Sequence, residues 1–553
     1  MCADYCCARG NLPTFSVDGG FEVGRGRCCC EGMRGFGVMR KEVMIALVAI
    51  TVCSGTIGFL ISGSEFYTAV ISSFPMLRIG NPAAPTNIFI EIARWSGILF
   101  ALNVLYTILA TAVRLSATDL KIAKLAKRPD AIAVHGDGVF AAKLVEAMPE
   151  NSIQSERKRA FQAPCQVLLF SSDQKAIEFY NQNARSLMAA KEVYIDLNTV
   201  LPDAKTKGNI YTFSMADVCA ELYWEEHPVY STDKIALIGE GVYAESLLTH
   251  GLLTNLFSIE GGVEYLVFGD FTRYRNLHVR LDEALAVNGD TLRFVEGPWH
   301  ESLDDLGSCD RIVLCADSEQ NVETAVQLRF AGVKAPIHVR CDDASSINLL
   351  DSDSMAVFGT SEQLCSSAII LQQNQRNAGK ICDIAYRFGT TGCDSCTRQR
   401  NFPKETIAEA VDGQQIEALK ADRLKAADFG VCLSCPKFCA DWRNMDEFTK
   451  SSNYAAAAHD HQKIRLLQEH GASADMSFDE LPEQVVDELR EIEHIRWCRF
   501  HFMNNWSYAP GGKDRANRTH HYLVPYSELS QAVKANDGDA YSTVWLRRKD
   551  AIE

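Results

Sequence analysis

Two long apolar runs stand near the start of the chain. Residues 43–62 form 20 consecutive positions without a charge, and residues 95–113 form a second uncharged run. A helix of about 20 apolar residues is long enough to cross a hydrocarbon layer of roughly 30 Å. The pattern therefore predicts two transmembrane helices within residues 41–115. The alternative is a pair of buried helices in a globular domain.

The segment between the two runs is predicted to re-enter the membrane. Residues 65–77 have an amphipathic pattern, and the Gly/Pro-rich residues 78–87 follow them. A short helix, an irregular turn and a second long helix are typical of two-span ion channels, in which irregular backbone lines water. The alternative is a short helix on the external surface. The chain lacks the Thr-Val-Gly-Tyr-Gly filter of potassium channels.

Basic side chains flank both outer ends of this hairpin. They are Arg25, Arg27, Arg34, Arg40 and Lys41 before the first run and Arg114, Lys121, Lys124, Lys127 and Arg128 after the second. Because positive flanks stay in the cytoplasm, we expect a multi-pass protein of the inner (plasma) membrane with both termini and the bulk of the chain cytoplasmic. Residues 1–40, rich in Cys and Gly and without periodicity, are predicted to be a disordered tail.

Short apolar strands alternate with helical patterns beyond the hairpin, which predicts α/β units with parallel sheets. Residues 131–135 run into a Gly-Asp-Gly turn and a helix, and residues 234–238 run into a Gly-Glu-Gly turn and a helix. Glycines at such turns let the backbone approach a pyrophosphate at the helix N-terminus. We predict two Rossmann-like units, residues 129–230 and 233–372.

NAD or another nucleotide is the cofactor that these turns predict. The candidate binding residues are Gly136, Gly138, Gly239, Gly241 and Asp270. A ribose-binding acid usually follows the turn by about 20 residues, and Asp270 comes later than that. Asp137 and Glu240 also place negative charge inside the turns, so the alternative is a Rossmann-like fold that binds no dinucleotide.

A cysteine cluster within residues 380–440 is a candidate metal site. Its members are Cys393, Cys396, Cys432, Cys435 and Cys439. Two Cys-x2-Cys knuckles suit tetrahedral zinc, whereas the Cys-x2-Cys-x3-Cys portion also suits an iron–sulfur cluster. Reduced cysteines without a metal are the third alternative.

Aromatic and basic side chains are interleaved in the last segment, residues 441–545. The candidate ligand-binding residues are Arg496, Trp497, Trp506, Tyr508, Lys513, Arg518 and His520. Aromatic faces beside cations can stack a base and bind a phosphate. For the two tryptophans, a place in the core of a small domain is the alternative. The net charge of −16 argues against nucleic acid as a partner.

Two family resemblances accompany these patterns. Two spans, a basic linker and tandem units opening with AIAVHGDGVFA and KIALIGEGVYA resemble the RCK family of regulators of potassium conductance and related NAD-binding proteins, over residues 43–372. This resemblance implies ligand-dependent control of a membrane pore by Rossmann-like units assembled around it.

The C-terminal segment resembles the ryanodine-receptor repeat (RyR) domain, over residues 441–540. The matching residues are Glu493-His494-x-Arg496-Trp497, Trp506-x-Tyr508, Lys513-Asp514, Arg518, His520 and residues 523–526. Asn505 stands where the family usually has glycine, and His520-His521 replaces His-Pro. The resemblance implies a small, mostly helical sensor of a nucleotide-like ligand and no established reaction.

The sequence therefore predicts a ligand-regulated, ion-channel-like membrane protein. Two spans per chain cannot enclose a pore, so a homo-oligomer is expected. One alternative is a membrane-anchored NAD(P)-linked redox protein, although no catalytic constellation stands out near either turn. Another is a nucleotide-activated membrane effector in bacterial defence. The question of enzymatic activity stays open, with a non-enzyme favoured.

Overall fold

The computed structural model describes residues 41–77, 84–154, 158–201, 203–205, 208–346, 355–371, 374–389, 429–473, 476 and 478–547. Residues 1–40 and two of the cluster cysteines, Cys393 and Cys396, lie outside these residues. The chain divides into two compact units, Met1–Thr118 and Asp119–Glu553.

The first unit contains the apolar runs. Its elements are α1 (Lys41–Ile61), α2 (Phe66–Ser73), a 3₁₀ turn (Phe74–Leu77) and the start of α3 (Ile88–Ala126). Two stretches, Glu42–Ile61 and Ile88–Val113, are long and apolar enough to cross a membrane by length and composition. Only 22% and 11% of their most apolar windows are buried within the chain, so these helices leave most of their apolar surface uncovered.

A five-stranded, fully parallel sheet opens the second unit, with the strand order β2-β1-β3-β4-β5. The strands are β1 (Ile132–His135), β2 (Ser152–Gln154), β3 (Cys165–Leu168), β4 (Glu192–Asp196) and β5 (Ile210–Phe213). Its helices are α4 (Val139–Ala147), α5 (Asp173–Leu187) and α6 (Met215–Glu226), with a 3₁₀ turn at Ala160–Gln162. Every residue of β1 is buried, as expected for a strand covered on both faces.

A six-stranded parallel sheet follows, with the order β11-β10-β9-β6-β7-β8. The strands are β6 (Asp233–Ile238), β7 (Val263–Phe268), β8 (Thr291–Val295), β9 (Arg311–Leu314), β10 (Ile337–Arg340) and β11 (Met355–Phe358). The accompanying helices are α7 (Val242–Thr254), α8 (Thr272–Leu277), α9 (Leu281–Ala286), α10 (Leu303–Gly307), α11 (Ser318–Phe330), α12 (Ser361–Leu364) and α13 (Ser367–Ile370), with 3₁₀ turns at Trp299–Glu301 and Ala344–Ser346.

The remaining described elements are mostly helical. They are α14 (Asn374–Gly389), α15 (Phe429–Leu433), α16 (Pro436–Asn444), α17 (Glu447–Ala458), α18 (Asp460–Glu469), α19 (Glu483–Met503) and α20 (Gln531–Ser542), with 3₁₀ turns at Phe478–Glu480 and Tyr526–Glu528. Two short paired strands, β12 (Ser507–Tyr508) and β13 (Thr519–His520), follow α19.

Both sheets confirm the predicted parallel α/β architecture. In each, the chain returns to the other side of the first strand, which creates a crevice between β1 and β3 and another between β6 and β9. Ligands of open α/β sheets bind at such switch points, beyond the carboxyl ends of the strands. One hydrophobic cluster joins the first sheet, the second sheet and the C-terminal helices, with Val134, Leu237 and Phe500 among its members.

Candidate functional site

The two predicted glycine turns lie at the two switch points. A Cβ atom on Gly136 would lie 1.7 Å from the carbonyl oxygen of Leu169, just beyond β3. A Cβ atom on Gly239 would lie 2.5 Å from the backbone nitrogen of Ala316, just beyond β9. The first glycine of each turn is therefore required by close packing between strands, whether or not a ligand binds.

In the first glycine turn, the side chain of Asp137 occupies the space beside the backbone. The carboxylate of Asp137 accepts a hydrogen bond from the backbone nitrogen of Ser171 at 3.0 Å and lies 2.5 Å from the ammonium group of Lys175. The bond from Lys175 is the main reason why the pKa of Asp137 is lowered. The space where a phosphate would be expected thus already contains an anion.

The second turn is open. A Cβ atom on Gly241 would meet nothing within 4 Å, and its φ of 84° and ψ of −168° are a conformation that glycine alone adopts readily. The N-terminus of α7 follows directly. Asp270 lies just beyond β7, the strand next to β6, which is where a ribose-binding acid belongs in this topology.

Asp270 is exposed, and its carboxylate accepts a hydrogen bond from the backbone nitrogen of Thr272 at 2.9 Å. That bond is the main cause of its lowered pKa. The acid is therefore anionic and accessible at the same edge of the sheet as the open turn.

A buried cation that the sequence pattern did not indicate lies at this edge. Arg340, at the end of β10, is 3% exposed and lies over the ring of Tyr243 in the first turn of α7, 3.9 Å from the ring centroid. Its guanidinium also pairs with Asp342, while its Nε has no hydrogen-bond partner among the residues described. A basic residue at the carboxyl end of a strand was the available signal.

Four of the predicted ligand residues come together around the short sheet of β12 and β13. Trp497 packs edge-on against His520, with ring centroids 5.0 Å apart, and His520 lies 6.5 Å from Trp506. The ammonium group of Lys513 lies 5.6 Å from the Trp506 centroid. We call these four residues together with His501, which contacts both tryptophans, the aromatic cluster.

The two histidines of the aromatic cluster are neutral at physiological pH. Burial lowers the pKa of His501 to about 3 and that of His520 to about 4. Burial also lowers the pKa of Lys513, with Arg515 as a second cause. The aromatic cluster is thus a neutral and largely buried set of rings with one cation, Lys513, beside it.

Tyr508 belongs to β12, and Arg518 directly precedes β13. Tyr508 is 53% exposed and is the register partner of His520 in the short sheet. Arg518 has a left-handed φ of 51°, and its guanidinium lies 3.6 Å from the carboxylate of Asp203 in the first α/β region.

Arg496 has a different environment. It is 2% exposed and forms a two-pronged ion pair with Glu493 at 2.6 and 3.0 Å. Lys463 adds a second buried cation 3.5 Å from the same carboxylate. Burial opposes ionisation of Glu493, but these two cations hold its pKa well below the usual range. Arg496 thus belongs to an ion-pair network inside the helical core.

Cys432, Cys435 and Cys439 follow one another along consecutive helical turns. Cys435 is the N-cap of α16. Its backbone nitrogen donates a hydrogen bond to the carbonyl oxygen of Cys432, and the backbone nitrogen of Cys439 donates one to the carbonyl oxygen of Cys435. The Cys439 thiol donates to the carbonyl of Leu433 at 3.1 Å. Among the described residues, no group of three or more His, Cys, Asp or Glu side chains has metal-binding geometry.

The apolar hairpin has a folded interior. The 3₁₀ turn returns along α1, so that Met76 is fully buried and its carbonyl oxygen would lie 1.9 Å from a Cβ atom on Gly97. The hydroxyls of Thr51 on α1 and Ser96 on α3 bond at 2.8 Å beside this contact. Small residues and hydroxyl pairs of this kind are typical of helix contacts inside membranes.

Comparison of the chain with protein-family models, with curated proteins and with solved structures gave no match.

Proposed function

We propose that the chain is a ligand-regulated membrane protein whose hairpin forms an ion-channel-like pore in a homo-oligomer. The observation that carries this proposal is the return of Phe66–Leu77 to the level of Thr51, near the middle of the apolar stretch of α1. Non-helical backbone at that depth is tolerated where it is buried in protein or lines water.

The two α/β units act, in this proposal, as RCK-type regulatory units. The second turn binds NAD or another nucleotide through Gly239, Gly241 and Asp270. The first α/β unit has only a structural role, because the ion pair between Asp137 and Lys175 already occupies its glycine turn. The resulting protein lies in the inner membrane with both termini in the cytoplasm.

The C-terminal region acts as an RyR-like sensor. A nucleotide-like ligand stacks on the aromatic cluster, with Lys513 and Arg518 near its charged group. The ligand controls the pore only if it binds one state of the protein better than the other. A difference of about 1.4 kcal/mol shifts that equilibrium tenfold.

The cysteine segment holds a structural zinc ion in this proposal, with an iron–sulfur cluster as the alternative. Cys432, Cys435 and Cys439 supply three thiols from one short stretch, and Cys393 and Cys396 are the remaining candidates. Zinc requires four such ligands. Absorbance near 400 nm in purified protein would favour iron–sulfur and the redox alternative.

Ion flux from liposomes tests the pore. We expect nucleotide-dependent flux for the native chain and none for Gly97→Val, since the new side chain cannot coexist with the Met76 carbonyl. Leu102→Val, at a 57% exposed position of the same helix, is the matched control and should conduct. Absence of flux with every nucleotide, from folded and oligomeric protein, would refute the proposal.

Ligand binding at the aromatic cluster is tested separately, by titrating nucleotides while tryptophan fluorescence is recorded. Arg518→Ala and His520→Ala should each weaken binding about tenfold, because each removes a contact to the charged or flat part of the ligand. Arg496→Lys is not a probe of this site, because Arg496 lies in the buried network. Unchanged binding in both variants would show that the ligand binds elsewhere.

A further inference from the structure

Asn505 has a backbone conformation that favours glycine. Its φ is 63°, in the left-handed region, and it joins α19 to β12. Asparagine tolerates this conformation better than most residues, but glycine adopts it without strain. The side chain of Asn505 must therefore contribute something that a glycine would not.

That contribution is a pair of hydrogen bonds to the second α/β unit. The Asn505 amide donates to the carbonyl of Leu277 at 2.8 Å, and its oxygen accepts from the backbone nitrogen of Val279 at 3.0 Å. The ring nitrogen Nδ1 of His278 lies 2.6 Å from the carbonyl oxygen of Met503, the last residue of α19. Three consecutive residues, the last of α8 and the two that follow it, are thus hydrogen-bonded to the end of α19 and to Asn505.

Asn505 is also adjacent along the chain to the aromatic cluster. Trp506 is its chain neighbour, is 3% exposed and stacks on Phe448 with centroids 4.9 Å apart. A ligand that displaces the backbone of Trp506 also displaces Asn505, because the two share a peptide bond. Movement of Asn505 in turn displaces the end of α8.

Helix α8 leads directly to the nucleotide edge. It begins at Thr272, whose backbone nitrogen is bonded to the carboxylate of Asp270. The opposite end of β7 is held by the same long helix α19: Arg499 is fully buried and pairs with Asp290 at 2.8 Å. Asp290 accepts bonds from the backbone nitrogens of Gly262 and Val263 at the start of β7.

The α19 region thus contacts the second α/β unit at two places: Arg499 lies at the start of β7, through Asp290, and Asn505, two residues beyond the helix, lies at the end of α8. We propose that Asn505 is the positioning residue that transmits occupancy of the aromatic cluster to Asp270, so that the sensor ligand regulates the nucleotide site of the second turn. The identity of the two ligands rests on the proposed function, whereas the mechanical connection does not. Coupling of this kind is reciprocal between the two sites.

Hydrogen exchange of the full-length protein in detergent tests the connection without any ligand. His520→Gln perturbs the aromatic cluster, and the measured segment is 270–277, which makes no contact with His520 among those described. We expect exchange there to become about threefold faster in the native background. In an Asn505→Gly background, His520→Gln should not change the exchange rate of segment 270–277 further. Glycine keeps the backbone conformation but removes the two side-chain hydrogen bonds to Leu277 and Val279.

Asn517→Gly is the matched control. Asn517 bonds to Asp514 within its own loop, so this background should keep the full effect of His520→Gln. The thermal midpoint of Asn505→Gly should stay within about 2 °C of the native value, which separates positioning from stabilisation. Trp497→Phe is a second perturbation of the cluster if His520→Gln fails to fold.

Equal effects of His520→Gln in the native and Asn505→Gly backgrounds would overturn the inference, as would absence of any effect on segment 270–277. Because no nucleotide is used, these results differ from a failure of the proposed function, which would appear as absence of flux or of nucleotide binding in protein that shows the coupling.

Discussion

The two glycine turns have similar sequences but different chemistry. In the first, the Asp137 carboxylate binds the backbone of Ser171 and the ammonium group of Lys175. In the second, Glu240 at the matching position is exposed and forms no hydrogen bond or ion pair with any residue that the structure describes. The first turn carries its own anion, and the second leaves that place to solvent.

This difference separates two roles that a Gly-x-Gly pattern combines. The first glycine of each turn is needed to bring neighbouring strands together, and this need is the same in both units. The second glycine has distinct roles: Gly138 has an ordinary φ of −102°, whereas Gly241 requires a glycine conformation beside open space. Only the second turn therefore combines glycine geometry with room for a ligand.

The largest expected effect is a loss of stability when the first glycine of either turn, which packs closely against a neighbouring strand, is replaced. Gly136→Ala and Gly239→Ala should each destabilise the protein by about 3 kcal/mol or more, because the new methyl group collides with backbone atoms that cannot move freely. The thermal midpoint in detergent should fall by about 6 °C or more in both.

Gly138→Ala is the control for this pair. A Cβ atom there meets nothing within 4 Å, so the midpoint should stay the same or rise slightly. A tolerated Gly136→Ala would show that Gly136 does not pack tightly against the Leu169 carbonyl. A damaging Gly138→Ala would show that the first turn has a hidden constraint.

Much of this architecture follows from the sequence because apolar strands and glycine turns are local signals. The segment 131–135 is almost entirely apolar, and β1 is buried throughout. The position of Asp270 at the end of the strand next to β6 could not be deduced from its spacing, because the distance along the chain depends on the length of α7 and its following loop. The order of the strands provides that information.

The C-terminal region shows the opposite case. Arg496 and Arg499 lie one turn apart on α19, and the pattern of aromatic and basic residues predicted Arg496 as a ligand contact. The structure pairs Arg496 with Glu493 in the core and Arg499 with Asp290 of the second α/β unit. A helical pattern indicates which face a residue occupies, but the partner on that face comes from another part of the chain, beyond the reach of local patterns.

The next effect concerns nucleotide affinity, which should distinguish the two turns. Asp270→Asn should weaken NAD binding about tenfold, equal to about 1.4 kcal/mol, because it removes an accessible anion from the edge where the ribose would lie. Calorimetric titration of the full chain is the measurement. Gly138→Ala, in the first turn, should bind NAD as the native chain does. Reduced binding in Gly138→Ala with normal binding in Asp270→Asn would reverse the assignment of the two turns.

The smallest effect comes from the ion pair that fills the first turn. Asp137 has a lowered pKa, with the Lys175 bond as the first cause, so its contribution to stability is present above the ordinary carboxyl pKa and is lost as the pH falls through the lowered value. Both side chains are about half exposed, which limits the contribution to a few tenths of a kcal/mol. We expect Asp137→Asn to be slightly less stable than the native chain at pH 7, and the difference to shrink as the pH falls below the ordinary carboxyl pKa.

Glu240→Gln should leave stability at pH 7 unchanged, since Glu240 has no partner to lose among the described residues. Chemical denaturation followed by tryptophan fluorescence measures both variants. A loss of stability at pH 7 in Glu240→Gln equal to that of Asp137→Asn would mean that the second turn also holds its own anion. The open second turn would then be no better suited to a nucleotide than the first.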